Sequence, residues 1–373
     1  MSTLGQFTRQ GSGKTKTVRS FPVAGTTTMV APVGAFYSFY VLGAGGAAGN
    51  PDKGKNSIAT GGGGAGFAYK EVYLPAGTSI SITVGAGAAI TAANSNGASG
   101  GNSSVVISGM TTIQANGGSG GVYSTTASAT VSGGAGGTAS GGDINASGGR
   151  GGNRSGTTGA GFTVATGGGA AGSIFGDGGR GGDSICTMTN GHQTATGGGA
   201  VGGNNGGDVS TTNYDTGGGG VGGTPANNDK TGGANWGGQA DREFNLGATI
   251  STSAPWLGFS YVTNATPVQT GLFEVNPLKF FCGGGGTAAH TNAFHGSSGA
   301  GGGACWAAAT TIAYGGAGGT CGGGGGSVAV AQSGADVRGG QGGRGGGSGA
   351  ASHTATGNIY VYGSYPGLVV VEW

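Results

Sequence analysis

Two glycine-containing segments have residue types that could bind a phosphate group. Residues 43–48 (GAGGAA) fit the G-x-G-x-x-A form of a dinucleotide-binding loop, and residues 11–15 (GSGKT) are similar to the end of a phosphate-binding loop. The first motif needs a following helix, and the second needs a glycine at position 8 and a preceding strand. Position 8 is Thr8, more glycine follows residue 48, and among 99 glycines such matches arise by chance. We therefore predict no nucleotide cofactor.

The histidines and aspartates show no spacing typical of a catalytic or metal site. His290 and His295 have no cysteine or acid close by, and no G-x-S-x-G nucleophile elbow stands between a strand and a helix. Five aspartates lie in or beside glycine blocks, where such residues most often bond their own backbone in turns: Asp143, Asp177, Asp183, Asp208 and Asp215. The nonapeptide spacing of calcium-binding β-rolls is missing. We expect no catalysis, no metal and no cofactor.

The four cysteines speak against a zinc site, because none of them forms a C-x-x-C pair. They are Cys186, Cys282, Cys305 and Cys321. Cys305 and Cys321 could pair as a disulfide, whereas a chain made in the cytosol would first hold both reduced. The sequence leaves both alternatives open.

Four arginines stand in Arg-Gly-Gly settings, which in disordered proteins bind RNA: Arg150, Arg180, Arg338 and Arg344. They are spread over a long stretch of a chain whose net charge is only +2, which gives a weak electrostatic footprint. We predict that they are structural residues in turns, and that nucleic acid is not a partner.

The composition favours an ordered structural protein. Charged residues make up 8% of the chain, against roughly 25% in typical domains. Disordered chains of similar glycine content usually carry more charge and fewer apolar residues than the 35% found here. Collagen is excluded, because the chain has nine prolines and its glycines come in blocks. No apolar run is long enough to span a bilayer or to act as a secretory signal.

Apolar alternation and turn residues predict an all-β fold. Strands are expected over residues 21–42, 67–74, 80–84 and 105–113, and the last strand at residues 368–373. We predict a small antiparallel β-sandwich over residues 21–116, completed by closing strands in 358–373, so that the first and last strands share one core. Residues 1–20 carry Arg9, Lys14, Lys16 and Arg19 without an acid. They form either a solvated terminus or an attachment arm that docks on a partner subunit.

Glycine blocks in residues 117–240 and 283–357 predict a bundle of polyglycine-II-like runs. Interior glycine disfavours helices, and extended left-handed runs with three residues per turn must bond to neighbouring runs. Only glycine lets backbones approach that closely. Residues 241–282 are poor in glycine and rich in aromatic side chains. They are either an inserted β-subdomain with its own core or an aromatic contact surface.

The order of these pieces resembles the glycine-rich domain of bacteriophage tail-fibre and adhesin proteins. The matching segments are a strand–turn–strand at 31–43, a glycine block at 61–64, an aromatic-containing strand at 67–74, a Pro-x-Gly turn at 75–77, a strand ending Val-Gly-Ala-Gly at 80–87, and an apolar strand at 367–373. The resemblance implies a position on the virion surface, and in some adhesins polyglycine runs are stacked with receptor-reading loops at one tip. It also implies a homo-oligomer, with the trimer common among fibre proteins. The insert at 241–282 and the lack of a long shaft depart from the pattern.

We therefore expect a non-enzymatic virion protein, synthesised in the host cytoplasm without a signal peptide. The leading hypothesis is a tail-fibre tip or adhesin that binds a protein or glycan receptor on the host surface. The alternative is a capsid, collar or neck decoration with no receptor. Other virion proteins of the fibre, baseplate, collar or capsid are the expected partners. Exposed aromatic residues are the receptor-contact candidates: Tyr123, Tyr214, Trp236, Trp256, Phe259, Tyr261 and Trp306.

Overall fold

A computed structural model describes residues 17–52, 57–126, 130–156, 162–185, 193–210, 214–219, 293, 295–296, 299–307, 312–329, 336–353 and 358–373. Over these residues the protein is all-β, as predicted, with one 3-10 helix at Val201–Gly203. The first strands are β1 (Val18–Phe21), β2 (Gly25–Val30), β3 (Ala35–Leu42), β4 (Ser57–Ala59), β5 (Phe67–Leu74), β6 (Ser79–Val84), β7 (Ser103–Ile107), β8 (Ile113–Ala115), β9 (Tyr123–Ser124), β10 (Ala139–Ser140) and β11 (Ile144–Ala146). The later strands are β12 (Thr163–Ala165), β13 (Gln193–Ala195), β14 (Tyr214–Asp215), β15 (Cys305–Ala307), β16 (Ile312–Tyr314), β17 (Ser327–Ala329), β18 (Asp336–Arg338), β19 (Ala351–His353), β20 (Ile359–Tyr360) and β21 (Leu368–Glu372).

Two antiparallel sheets form the predicted β-sandwich. Their strand orders are β1-β21-β3-β5-β11 and β10-β8-β7-β6-β2. The strict alternation of β6 buries Ile80, Ile82 and Val84 between the sheets. Strand β21 lies between β1 and β3, with Val370 opposite Tyr40. The first and last strands therefore share one core, as the sequence predicts.

The glycine runs form a hydrogen-bonded lattice with a period of three residues. In the central run, 61–66, successive N–H groups donate to three neighbouring runs: Gly62 to Ser348, Gly63 to Ser119, Gly64 to Gly149, Ala65 to Gly345 and Gly66 to Asn116. Its carbonyl groups accept from three further runs: Gly61 from Gly134, Gly62 from Gly169, Gly63 from Gly46, Gly64 from Gly137, Ala65 from Gly172 and Gly66 from Gly43. This threefold cycle is the bonding expected of a left-handed run with three residues per turn, packed among six neighbours.

The lattice excludes side chains where runs cross closely. A Cβ atom on Gly63 would overlap the carbonyl oxygen of Ala135, and one on Gly64 would overlap that of Ala170. Both obstacles are backbone atoms that are themselves fixed by hydrogen bonds, so they cannot move aside cheaply. The close approach in turn lets buried backbone donors and acceptors bond across runs, which every buried peptide group requires.

The boundaries between the sandwich and the bundle differ from those that the composition indicates. The run 43–50 continues directly from β3, and the run 60–66 leads directly into β5, so both lie within the segment predicted as sandwich. Within 358–373 only β21 joins the sandwich, because β20 pairs with β18 instead. In the other direction, β10 and β11 from the glycine-rich segment extend the two sandwich sheets. The predicted insert at 241–282 lies outside the described residues.

Candidate functional site

Four glycine runs begin with a repeated threonine motif. Three of them read Ala-Thr-Gly-Gly-Gly, at 59–63, 165–169 and 195–199, and a fourth reads Asp-Thr-Gly-Gly-Gly at 215–219. The strands β4, β12, β13 and β14 end at these motifs and pair in parallel, so that Ala59, Ala165 and Ala195 stand in register. The repeat therefore builds, at one end of the bundle, the four parallel strands of a sheet of order β14-β13-β12-β4-β9, which we call the threonine-repeat sheet.

The threonine hydroxyls link neighbouring repeats. The Thr196 hydroxyl accepts a hydrogen bond from the N–H of Gly167 and donates one to the carbonyl of Gly182. The Thr166 hydroxyl bonds in the same way, accepting from Gly61 and donating to Gly152. The Thr216 hydroxyl accepts from Gly197 and donates to Gly207. Each buried hydroxyl thus completes the bonding of two backbone groups where a strand becomes a glycine run.

Two further parallel sheets, of order β15-β17-β19 and β16-β18-β20, stand at the same end of the bundle. Small side chains pack between the threonine-repeat sheet and the β15-β17-β19 sheet: Ala48, Ala59, Ala165, Ala195, Ala304, Val328 and Ala350. These small side chains let the two sheets pack closely together.

This end of the bundle lies away from the sandwich, and we call it the distal end, meaning strands β4, β9 and β12–β20. Strand β3 ends at Leu42, and the run 43–50 that follows it extends away from the sandwich alongside the run 60–66. The Gly43 N–H donates to the Gly66 carbonyl near the sandwich, and the Gly49 N–H donates to the Thr60 carbonyl at the far end of this pair of runs. At about 3.1 Å per residue, the six steps from Gly66 to Thr60 span about 19 Å.

Arginine and aspartate side chains tie three glycine runs together. Arg150 forms a bidentate pair with Asp183, both nitrogen–oxygen distances being 2.7 Å. Arg180 pairs in the same way with Asp208, at 2.6 and 2.7 Å. The aspartates were expected to bond their own turns, and this expectation is wrong for Asp183 and Asp208. Each carboxylate stands at the end of a glycine run and binds the arginine of the preceding run. Asp183 ends GGRGGD at 178–183, and Asp208 ends GGNNGGD at 202–208.

The surroundings of Asp183 favour its charged form. Burial alone would raise the pKa of this carboxyl, but the hydrogen bonds from Arg150 and from the Asn153 N–H, with the charge of Arg180, outweigh it. The pKa of Asp183 therefore lies below its usual range. Arg150 and Arg180 are thus structural residues, as predicted, although they act within runs and not in turns.

Three of the predicted contact residues belong to the distal end. Tyr123 (β9) and Tyr214 (β14) occupy opposite edges of the threonine-repeat sheet, and Trp306 stands in β15 in register with Val328. Tyr123 is half-buried, and burial with the nearby charge of Asp52 raises the pKa of its hydroxyl. The structure thus brings the three backbone positions to one end of the bundle. Trp236, Trp256, Phe259 and Tyr261 lie outside the described residues.

Of the four basic residues of the predicted attachment arm, one lies among the described residues. Arg19 belongs to β1 of the sandwich, and its guanidinium carbon lies 5.0 Å from the centre of the Phe21 ring. It is therefore part of the folded sheet edge. Arg9, Lys14 and Lys16 lie outside the described residues.

The disulfide alternative for Cys305 and Cys321 is wrong in this structure. Both thiols are buried and are not joined to each other, since Cys305 lies in β15 at the distal end and Cys321 in a turn near the sandwich. Burial raises the pKa of the Cys321 thiol to about 12, which makes it an inert apolar group.

Sequence reasoning missed two features. The first is the threonine ladder, meaning the hydroxyl hydrogen bonds of Thr166, Thr196 and Thr216 between neighbouring runs. The second is a stack of Arg338 between two tyrosine rings on β16, β18 and β20. The threonine ladder had a signal, the repeated Ala-Thr-Gly-Gly-Gly string, whose period is irregular because unequal segments separate its copies. In the part of the chain that the structure describes, no group of three or more His, Cys, Asp or Glu side chains is placed to hold a metal ion. Nor does any helix among these residues have the length and apolar character needed to cross a membrane.

An all-β sandwich continuous with a glycine lattice defines a class of glycine-rich structural domain. The family model of the glycine-rich domain matches residues 22–249, more than half of the chain. The chain therefore belongs to the glycine-rich domain family. No curated protein matches the sequence.

Proposed function

We propose that this protein is a non-enzymatic adhesin of a bacteriophage virion, attached through its sandwich and binding the host surface with its distal end. The observation that carries the proposal is the two-ended architecture. A rigid lattice of glycine runs separates the sandwich from the short sheets of the distal end. Binding residues are commonly found on connections held by such a rigid scaffold.

The sandwich end has features suited to attachment. Thr17 and Trp373 exchange backbone hydrogen bonds there, where β1 pairs with the end of β21. Beside them, Phe36 and Tyr73 are 65% and 54% exposed, with ring centres 5.6 Å apart. Exposed aromatic pairs are typical anchors of protein–protein interfaces. We infer that another virion protein covers this pair.

Cell binding by the purified full-length protein tests the adhesive role. Labelled protein should bind host bacteria and should slow adsorption of the intact phage by occupying its receptor. A Phe36→Ser, Tyr73→Ser variant alters only the sandwich end, so it should bind cells as the wild type does. It should, however, be incorporated into fewer phage particles during assembly. Absence of cell binding by wild-type protein would overturn the adhesive role.

Gold-labelled antibodies on phage particles test the location. Label at fibre ends or the baseplate supports an adhesin. Label over the capsid, collar or neck would favour a decoration protein, whereas unlabelled particles from a phage that encodes the chain would overturn the virion assignment.

A further inference from the structure

An arginine side chain lies between two tyrosine rings on the outer face of the β16-β18-β20 sheet. The parallel register places Tyr314, Arg338 and Tyr360 side by side on three adjacent strands. The guanidinium carbon of Arg338 lies 4.9 Å from the ring centre of Tyr314 and 4.8 Å from that of Tyr360. These distances are those of cation–π contacts on both sides of the guanidinium.

The opposite face of the same sheet holds the stack in place. Ala313 and Val337 alternate with the stacked residues and are fully buried, and Ile359 packs against their cluster. Backbone bonds from Gly315 to Arg338 and from Gly339 to Tyr360 fix the strand ends. The outer side chains are therefore presented by a rigid sheet, so their rotamers are largely set before any ligand arrives.

A second row of polar side chains lies next to the stack. Asp336 and Asn358 occupy neighbouring strands two residues before Arg338 and Tyr360, and the Asn358 amide donates a 3.1 Å hydrogen bond to the Asp336 carboxylate. A carboxylate oxygen of Asp336 is 3.7 Å from Arg338. The two opposite charges offset each other, so the patch is close to neutral while keeping several hydrogen-bonding groups at the surface.

Strand β20 is the edge strand of this sheet, and Tyr360 keeps 40% of its surface exposed although Arg338 covers one ring face. An exposed tyrosine face at an edge thus adjoins a carboxylate and an amide.

We propose that this face, formed by Tyr314, Asp336, Arg338, Asn358 and Tyr360, is a carbohydrate-binding site for neutral hexose units of a surface polysaccharide. The inference rests on the proposed adhesive function and assigns it a ligand class. A hexose ring has a flat C–H face that packs on an aromatic ring, and hydroxyls that suit carboxylate and amide partners. The offset charge of Arg338 gives an acidic sugar or a nucleic acid no net attraction.

The test uses full-length protein on an array of neutral glucose, galactose and mannose oligosaccharides, with matched oligosaccharides that contain sialic or uronic acid. The wild type should retain neutral oligosaccharides, and the best of these should then be titrated by calorimetry. Tyr360→Ala should weaken binding at least about tenfold, equivalent to about 1.4 kcal/mol. Tyr73 is a more exposed tyrosine at the sandwich end. Tyr73→Ala should change the affinity less than about twofold, within about 0.4 kcal/mol.

The outcomes separate this inference from the adhesive role. If wild-type protein and Tyr360→Ala bind bacteria equally, the site is wrong while the adhesive role stands. Retention of acidic sugars alone, or equal loss with Tyr73→Ala, would also overturn the site. If wild-type protein binds neither bacteria nor sugars, the adhesive role itself fails. Circular dichroism of both variants should match the wild type, because both side chains are at the surface.

Discussion

Gly63 shows what the lattice requires of a single residue. Its N–H donates to Ser119, its carbonyl accepts from Gly46, and a Cβ atom would meet the carbonyl of Ala135. The requirement is a close approach of backbones and not an unusual backbone angle. Glycine at such a position therefore has no substitute, although it carries a high ordering entropy.

Gly63→Ala should destabilise the protein by more than about 2 kcal/mol, because overpacking against fixed backbone cannot relax. Chemical denaturation measures the change. Ala86→Ser is the matched control, since it adds one atom at an exposed position of another glycine run and should leave stability unchanged. A Gly63→Ala variant as stable as the wild type would contradict the rigid lattice.

Asp183 makes stability depend on pH. Its pKa in the folded state is lowered, so the stabilisation is present above the unfolded pKa of about 4 and is lost as pH falls through the lower folded pKa. We expect the melting temperature to fall below about pH 4, and to fall less steeply in Asp183→Asn. Identical profiles for Asp183→Asn and wild type would remove the aspartate from the acid response.

At the level of elements, strands were predictable where residues alternate and the lattice was predictable from glycine blocks. The alternation of Ile80, Ile82 and Val84 identifies β6 directly. The short distal strands, such as Thr163–Ala165, had no local signal, because three residues pair only when the runs beside them are already aligned. The Tyr314–Arg338–Tyr360 stack joins residues far apart in sequence, so only the parallel register reveals it.

The threonine ladder gives a prediction at this scale. Thr196→Val keeps the shape but leaves the Gly167 N–H and the Gly182 carbonyl without their buried partner. We expect a loss of about 2–4 kcal/mol, from two unsatisfied groups at about 1–2 kcal/mol each. Thr196→Ser retains the hydroxyl and should lose only about 1 kcal/mol for the buried methyl. Equal losses for the two variants in urea unfolding would show that the hydroxyl contributes nothing.

Across the whole molecule, the sandwich and the bundle are built from the same continuous segments. The chain crosses from β3 into run 43–50 and returns through run 60–66 into β5, while β21 closes the sandwich only after every glycine run has been laid down. Hydrophobic pattern alone suggests two separable parts. Hydrogen bonds from the connecting runs to other glycine runs, such as those from run 60–66 to run 345–348, couple the sandwich to the bundle.

We therefore expect the sandwich and bundle to unfold together. Calorimetry of the wild type should give one transition, with calorimetric and van't Hoff enthalpies in agreement. Ile82→Ala, which opens a cavity in the sandwich core at a cost of about 2–5 kcal/mol, should lower the same transition that Gly63→Ala lowers in the bundle. Because run 61–66 cannot keep its six neighbours once β3 and β5 separate, loss of either part removes the other. Two resolved transitions, with each variant shifting only its own, would contradict this coupling and would make the sandwich an independent attachment domain.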